Sequence, residues 1–397
     1  METIAVIGEA VADAVARTPD ASGALRLDVR PGGSPANTAV GLARLGAPTR
    51  YFGRLSQGVL GRTLRAHLET SGVDLSGAVS ASQQATLAIA ALDERGRAGY
   101  DFYVDGTADW QWSAGELAGA GTASTIHTGS LALVRAPGDA VILDCLRGNR
   151  DSATISIDPN VRPGFVSPQR YRRGLDEWAG VADILKVSQD DLEHTHPGRD
   201  HRELCERWHA LGCRLVVVTL GGQGAVASFD GEQVRVGARS IATADTIGAG
   251  DAFTAGLLYR LTELGHHGGR LDRLDSTELH GALELAAEVA ARTCEVPGAD
   301  PPWAGQLALT ARRRLGRNRP TAGPAPPQHD RRPARSTRSD STGEDVLHPV
   351  DRLGRQPDPF GRSTVADLHG HRGFYRDLVQ HDPHRVLHPK EAAVHDR

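Results

Sequence analysis

DTIGAGDAFTAGLL, residues 245–258, sets Gly248, Ala249 and Gly250 directly before a carboxylate, Asp251, and the carboxylate directly before an apolar run. Phe253, Leu257, Leu261 and Leu264 recur at helical spacing, which predicts a helix starting near Asp251 and stopping at Gly265. Glycine costs backbone entropy, so a cluster of it needs a reason. One reason is a tight turn with Asp251 as the helix N-cap. The other is an anion site. Successive N–H groups at a helix N-terminus face an environment that favours negative charge, and small residues let a phosphate approach the backbone. A carboxylate beside such a cradle repels the phosphate but can accept a proton from an attacking hydroxyl. That is the arrangement phosphoryl transfer from a nucleotide to an alcohol requires. The chain has no GxxxxGK[ST], which excludes a P-loop, and no HRD or DFG, which excludes a protein kinase.

Outward from this motif, strand-like and helical stretches alternate. Ile4–Gly8, Thr125–Thr128, Thr154–Ile157, Ile184–Val187 and Leu215–Leu220 are short apolar runs. Helical patterns separate them, as at Tyr171–Val181 and Glu203–Leu211. Ser34-Pro35 opens another helix, with Ser as N-cap, Pro at the first position and Gly46 as stop. The alternation predicts an α/β fold, a three-layer α/β/α sandwich around a mainly parallel sheet. Ala85–Leu92 and Tyr100–Val104, joined by DERGRAG, with Leu25–Val29 as a third strand, interrupt the rhythm. They predict a small β-lid drawn from about 13–31 and 85–112. The domain is placed at 1–303. From residue 304 to 397 the text is rich in Arg, Pro, Ser, Asp and His, and it lacks the apolar content to offset ordering entropy. This tail is expected to be disordered, or to be out-of-frame-like text from a GC-rich gene.

Composition closes off other classes. The net charge is −4 and the apolar content 39%; the pI is about 6.5 and the mean hydropathy −0.34. There is no global charge for binding nucleic acid or an acidic membrane. The run Arg312–Arg335 lacks interleaved aromatics and is read as solvated. Cys145, Cys205, Cys213 and Cys294 form no CxxC, the histidines show no ligand spacing, and no apolar stretch reaches the roughly 18 residues a membrane span needs. A cytoplasmic protein with free thiols is expected. Only two lysines occur, Lys186 and Lys390, and this is put down to genome composition.

DTIGAGDAFTAGLL resembles the C-terminal signature of the PfkB, or ribokinase-like, carbohydrate kinases. PGGSPANTAVGLARLGAPTRYFGRLSQGVLGRTLRAHLETSGVDL, residues 31–75, resembles their N-terminal signature. The resemblance covers about residues 3–303. VIGEAVADAV, HTGSLAL, DPNVRPGF and CEVPGADPPW look most like bacterial fructokinases. The resemblance implies Asp251 as the base that deprotonates a sugar hydroxyl, with Gly248, Ala249, Gly250 and the Asp251 N–H as the anion hole for the γ-phosphate of ATP. It implies sugar contacts from Asp13, Gly32, Gly33 and Asn37; the alternatives are an exposed loop acid and a glycine-rich helix start. Arg162, just after a strand, would steady the phosphate or the sugar, or else is a surface arginine. Thr219, Gly221 and Gly224 resemble the nucleotide-binding turn, or else form a plain strand-to-strand turn.

One departure concerns magnesium. Where relatives carry N-x-x-E, this chain has Ser188-Gln189-Asp190-Asp191, which leaves Asp191 as the candidate Mg2+ residue. Asp245 and Thr246, read as a strand, together with Gly298, are candidates for a monovalent cation, K+. The implied partners are a sugar and ATP, with no nucleic acid and no membrane, and a homodimer through the lid is a further candidate. D-fructose, giving fructose 6-phosphate, is the expected substrate. Ribose, 2-keto-3-deoxygluconate or a nucleoside such as adenosine are alternatives, as is a catalytically idle sugar-binding regulator.

Overall fold

Alternation within the strands decides the layering. Ile7, Ile155, Ile157, Leu185, Val187, Val216 and Val218 pack into one apolar cluster. Their chain neighbours Ile4, Val6, Ile184, Leu215 and Val217 pack into a second. Successive strand side chains point to opposite faces, so a sheet that reads as continuously apolar must be covered on both. The computed structural model describes residues 2–17, 22–92 and 98–307. Most of the DERGRAG connection, and the expected tail apart from a helical turn at 304–307, lie outside the described residues.

The chain begins β1 (Ile4–Ile7), β2 (Val11–Ala16), β3 (Leu27–Gly32), α1 (Ser34–Leu45), β4 (Thr49–Phe52), β5 (Arg54–Ser56) and α2 (Val59–Thr70). Then come β6 (Val79–Ala81), β7 (Leu87–Leu92), β8 (Ala98–Tyr103), α3 (Ala114–Leu117), β9 (Thr125–Gly129), α4 (Gly138–Asn149) and β10 (Thr154–Asp158). It continues α5 (Pro168–Ala179), β11 (Ile184–Ser188), α6 (Gln189–Thr195), α7 (His201–Leu211), β12 (Leu215–Thr219), β13 (Ala225–Phe229), β14 (Glu232–Val236), α8 (Ala249–Glu263) and α9 (Ser276–Cys294). The central sheet has the order β14-β13-β12-β11-β10-β9-β1-β4. It is parallel except at β13, which runs antiparallel to both neighbours.

The lid is a four-stranded sheet of order β3-β2-β7-β8. Its β2 was not anticipated: VADAVA is short, alanine-rich and broken by Asp13, so it gives a weak β signal. Asp245 and Thr246 are not in a strand; no residue from 237 to 248 is. Among the described residues no helix is long and apolar enough to cross a membrane.

α1 and α8 cross closely. A Cβ on Gly41 would come 2.7 Å from Ala255 Cβ, so the two backbones approach as only a glycine contact allows. This contact brings together residues far apart in sequence, and it positions the site.

Candidate active site

Asp245 builds the approach to α8. Its Oδ1 accepts the N–H groups of Thr246 (2.7 Å) and Ile247 (3.1 Å), and its Oδ2 accepts the Gly298 N–H (2.9 Å). The two segments carrying Asp245, Thr246 and Gly298 are therefore stapled together. Gly248 then caps α8 at φ 75°. A Cβ there would meet Ala299 Cβ at 2.5 Å, so both conformation and space demand glycine.

α8 begins at Ala249, which puts Asp251 third in the helix rather than at the cap. The N-cap alternative for Asp251 is thereby overturned. The first N–H groups of a helix have no intrahelical carbonyl. That of Ala249 reaches Thr246 O at 3.3 Å, while those of Gly250 and Asp251 find no carbonyl partner. An anion facing this turn would be met by the latter two.

The Asp251 carboxylate is buried. Its Oδ1 accepts the Ser34 hydroxyl at 2.7 Å, and its Oδ2 accepts the Asn37 amide at 2.8 Å. Burial raises its pKa, and the bonds from Asn37 and Ser34 pull the other way. Each oxygen keeps a lone pair for a substrate hydroxyl. Ser34 was missed as a site residue, because Ser-Pro reads locally as a cap. In the structure Gly33 is the cap and Ser34 the first helical residue.

On the lid side, Asp13 is exposed to the cleft from β2 and lies over Gly32, where a Cβ would sit 2.0 Å from its Oδ2. Although Asp13 keeps an open side to solvent, the protein packed around its carboxyl pushes it up to about 6, the Arg162 charge opposing and the Asp251 charge adding. Arg162, Asp13 and Asp251 thus share one electrostatic neighbourhood. Arg162 donates to Asn160 Oδ1 at 2.5 Å, and its backbone N–H donates to the Tyr171 hydroxyl at 3.1 Å. The same loop carries Phe165, whose ring meets lid Phe102 edge-on at 4.7 Å. Gly33 supports the floor: a Cβ there would come 2.7 Å from Glu9 O.

The proposed nucleotide turn joins β12 to its antiparallel neighbour. Thr219 ends β12 and Gly221 is exposed just beyond it. Gly224 packs so tightly that a Cβ would lie 2.0 Å from Val236 O, a reason for glycine independent of any ligand. Asp191 closes a capping box with Ser188, and its Oδ1 also accepts the Val161 N–H at 2.8 Å. Each of its oxygens is therefore already engaged by a backbone donor. Beneath the turn, Lys186 Nζ donates to buried Asp158 Oδ2 at 2.8 Å, and Thr254 of α8 donates to the same oxygen at 3.2 Å.

Sequence reading also missed a pair of buried acids at the base of the lid. Asp109 Oδ1 accepts the Ala10 N–H at 3.0 Å, and its Oδ2 accepts the Thr86 hydroxyl at 2.6 Å. Burial pushes Asp109 up to about 6. Glu9, which accepts the Ala132 N–H at 3.2 Å, is pushed by burial to about 7.

Comparison with known proteins places the chain in a family. A family model for pfkB family carbohydrate kinases matches residues 1–304. A fructokinase of Rhizobium leguminosarum bv. trifolii is 35% identical over 233 residues, 58% of this chain and 71% of its own length. The structure of a Xylella fastidiosa fructokinase with bound ATP superposes with a TM-score of 0.71 at 26% identity, covering 79% of this chain and 99% of that one. A Vibrio cholerae O395 fructokinase solved with fructose, ADP and calcium superposes with a TM-score of 0.65 at 26% identity, covering 78% and 98%.

Proposed function

Because the chain belongs to the pfkB family of carbohydrate kinases, we propose that this sugar kinase phosphorylates D-fructose on a primary hydroxyl, using ATP and giving fructose 6-phosphate. The observation that carries the reading is the Asp251 carboxylate, held at both oxygens beside two unpaired N–H groups at the start of α8. The sugar hydroxyl gives its proton to Asp251 as its oxygen attacks the γ-phosphorus. The bond from that phosphorus to the β-bridging oxygen breaks, and ADP leaves with the electron pair. The Gly250 and Asp251 N–H groups, on the turn formed by Gly248 and Ala249, hold the charge gathering on the transferred oxygens.

Asp13 accepts hydrogen bonds from the sugar, and Asn37 fixes Asp251 while offering its remaining oxygen to the cleft. Gly32 and Gly33 give the sugar a close floor. Arg162 approaches the anionic end of the complex, and Thr219, Gly221 and Gly224 border the nucleotide. Closure of the lid excludes water, which otherwise competes as the nucleophile.

Asp158 Oδ1 is buried without a hydrogen-bond partner, and Asp191 has lone pairs left beyond its backbone bonds. Among the described residues no group of three or more metal-ligating side chains gathers. These acids fit a Mg2+ that arrives on the nucleotide phosphates and keeps several waters. When bound, the ion neutralises phosphate charge. K+ beside the Asp245, Thr246 and Gly298 staple belongs to the same reading, as does a cytoplasmic setting. So does a dimer through the outer lid face, where Leu27, Val29 and Tyr103 are exposed.

The test is ADP release across D-fructose, D-ribose, 2-keto-3-deoxygluconate and adenosine. The expected result is the highest kcat/KM with fructose. A higher value with another acceptor replaces the substrate and leaves the kinase reading standing; no release with any acceptor favours the idle regulator.

A further inference from the structure

Two of the 45 Lys and Arg residues are lysines. Lys390 lies outside the described residues, so Lys186 is the one lysine within them. It is also among the most buried charges, at 4% exposure. It stands on β11, across from Asp158 on β10, at the carboxyl edge of the sheet. Its Nζ makes one hydrogen bond, 2.8 Å to Asp158 Oδ2. Above it is the turn that starts α8: a Cβ on Gly250 would come 3.0 Å from Nζ. No side chain separates the ammonium from the backbone of Gly250, whose N–H is unpaired.

Stability does not account for this placement. A buried ion pair is weak support for a fold, since well-packed apolar residues of similar volume do as well or better. The adjacent positions of the same sheet face, Ile184 on β11 and Val217 on β12, are apolar. The choice of cation is informative too. The chain uses arginine almost everywhere else, yet a planar guanidinium needs a wide site, whereas an ammonium is a compact point charge. A compact ammonium is what stands under Gly250, within 3.0 Å of where a Cβ would be. Burial by itself would neutralise the amine. The Asp158 charge and hydrogen bond outweigh that effect, and Lys186 stays protonated with its pKa above the ordinary lysine value.

We infer that Lys186 is a positioning residue for phosphoryl transfer: its fixed charge, held by Asp158 and Thr254, acts through Gly250 on the γ-phosphoryl group. The inference rests on the kinase reading above. Asp158 sets where the charge sits. The single hydroxyl proton of Thr254, one turn into α8, lies within reach of both Asp158 Oδ2 (3.2 Å) and Gly250 O (3.1 Å), so the pair and the turn share one network. The charge is worth most when negative charge builds on the transferring group, and least to bound ADP, which lacks that group.

The experiment compares wild type, Lys186→Met, and the neutral pair Lys186→Gln with Asp158→Asn. Tm, kcat, sugar KM, and the affinities for ADP and for a non-hydrolysable β,γ-imido ATP analogue are measured for each. Lys186→Met strands the Asp158 charge and is expected to lower Tm. At saturating Mg2+, where a weakened metal contact at Asp158 is made up by mass action, the neutral pair is expected to recover Tm and ADP affinity while kcat stays down by about 10²–10³-fold, the usual loss for one fixed donor to a developing anion. The affinity for the imido analogue is expected to fall more than that for ADP, with the sugar KM unchanged. A neutral pair that recovers both Tm and kcat overturns the inference, because the lysine is then only structural. Equal weakening of ADP and the analogue also overturns it. A wild type that turns over no sugar sinks the kinase reading itself, an outcome recognisable before any variant is made.

Discussion

Ser34 donates a 2.7 Å hydrogen bond to Asp251, joining the first turn of α1 to the first turn of α8 across 217 residues. α1 follows lid strand β3 with only Gly33 between them. On the proposed reading, the group that orients the base is therefore attached to the element that covers the sugar. Asn37, one turn further along α1, holds the second carboxylate oxygen. A carboxylate pinned at both oxygens loses little freedom on reaction, which is how a base is aimed at one hydroxyl.

Replacing Asp251 by Asn is expected to lower kcat by about 10²–10⁴-fold, the usual cost of a lost general base, while nucleotide affinity and Tm stay close to wild type. Ser34→Ala tests the bond directly. The Ser34 hydroxyl lowers the pKa of Asp251, so its loss raises that pKa and moves the acid limb of the kcat profile to higher pH. A limb that stays in place in Ser34→Ala, or a near-normal rate in Asp251→Asn, removes that residue from the mechanism.

Asp13→Ala is expected to raise the sugar KM roughly 10–100-fold, the worth of hydrogen bonds to a charged acceptor, and to leave the ATP KM almost unchanged. Its carboxyl sits at about 6, so below that pH it carries a proton and accepts fewer bonds. Sugar KM in the wild type should therefore climb as pH falls through 6, and in Asp13→Asn it should not. Parallel profiles for the two proteins would place Asp13 outside the sugar contacts.

What the sequence disclosed follows from how local each signal is. Five of the eight strands of the central sheet, β1, β9, β10, β11 and β12, and the start of α8 rest on short local runs and were legible to within a residue or two, whereas β4, β13 and β14 were not read from the sequence. Ser34 was misplaced as a cap because a Ser-Pro start is a local pattern, and nothing local points to Asp251. β2 was lost because alanine contributes little β signal. Lys186 stood out only as a rarity of composition. Its meaning depends on β10, β11 and α8 meeting at one point, which no spacing in the chain encodes. Asp109 carries no local signal either: its partners Ala10 and Thr86 lie 99 and 23 residues away.

Glu9 gives a prediction about stability. Burial, with the Asp109 charge adding, raises its carboxyl from 4.5 to about 7, against bonds from Ser130 and the backbone. The native state thus holds this proton more tightly than the unfolded chain. Its contribution is complete below about 4.5 and is lost as pH rises through about 7. The full swing is at most about 3 kcal/mol. Glu9→Gln cannot titrate. Relative to the variant, wild type should lose unfolding free energy between about pH 5 and about pH 8, measured by urea denaturation. A difference that is flat with pH would mean the carboxyl is solvated in the native state.

Asp109 is expected to set how well the lid shuts. Its two oxygens take the Ala10 N–H just before β2 and the Thr86 hydroxyl just before β7, and it lies on the chain that leaves β8. Thr86 also contacts the Thr107 hydroxyl at 2.7 Å, so the knot spans both sides of the β7–β8 hairpin. Asp109→Asn keeps the size but loses one acceptor to Thr86, loosening three strand roots together. None of these atoms hydrogen-bonds to Asp251, whose partners are Ser34 and Asn37, so the chemistry itself should be spared. The expected signature is a sugar KM several-fold higher, kcat at saturating sugar within about threefold of wild type, and faster ATP hydrolysis without sugar as water enters a less complete closure. The measurement is ADP release with and without saturating sugar, alongside Tm to register any general loss of packing. A variant with lower kcat at saturation and no rise in sugar-independent hydrolysis would show that Asp109 supports the catalytic turn rather than the lid.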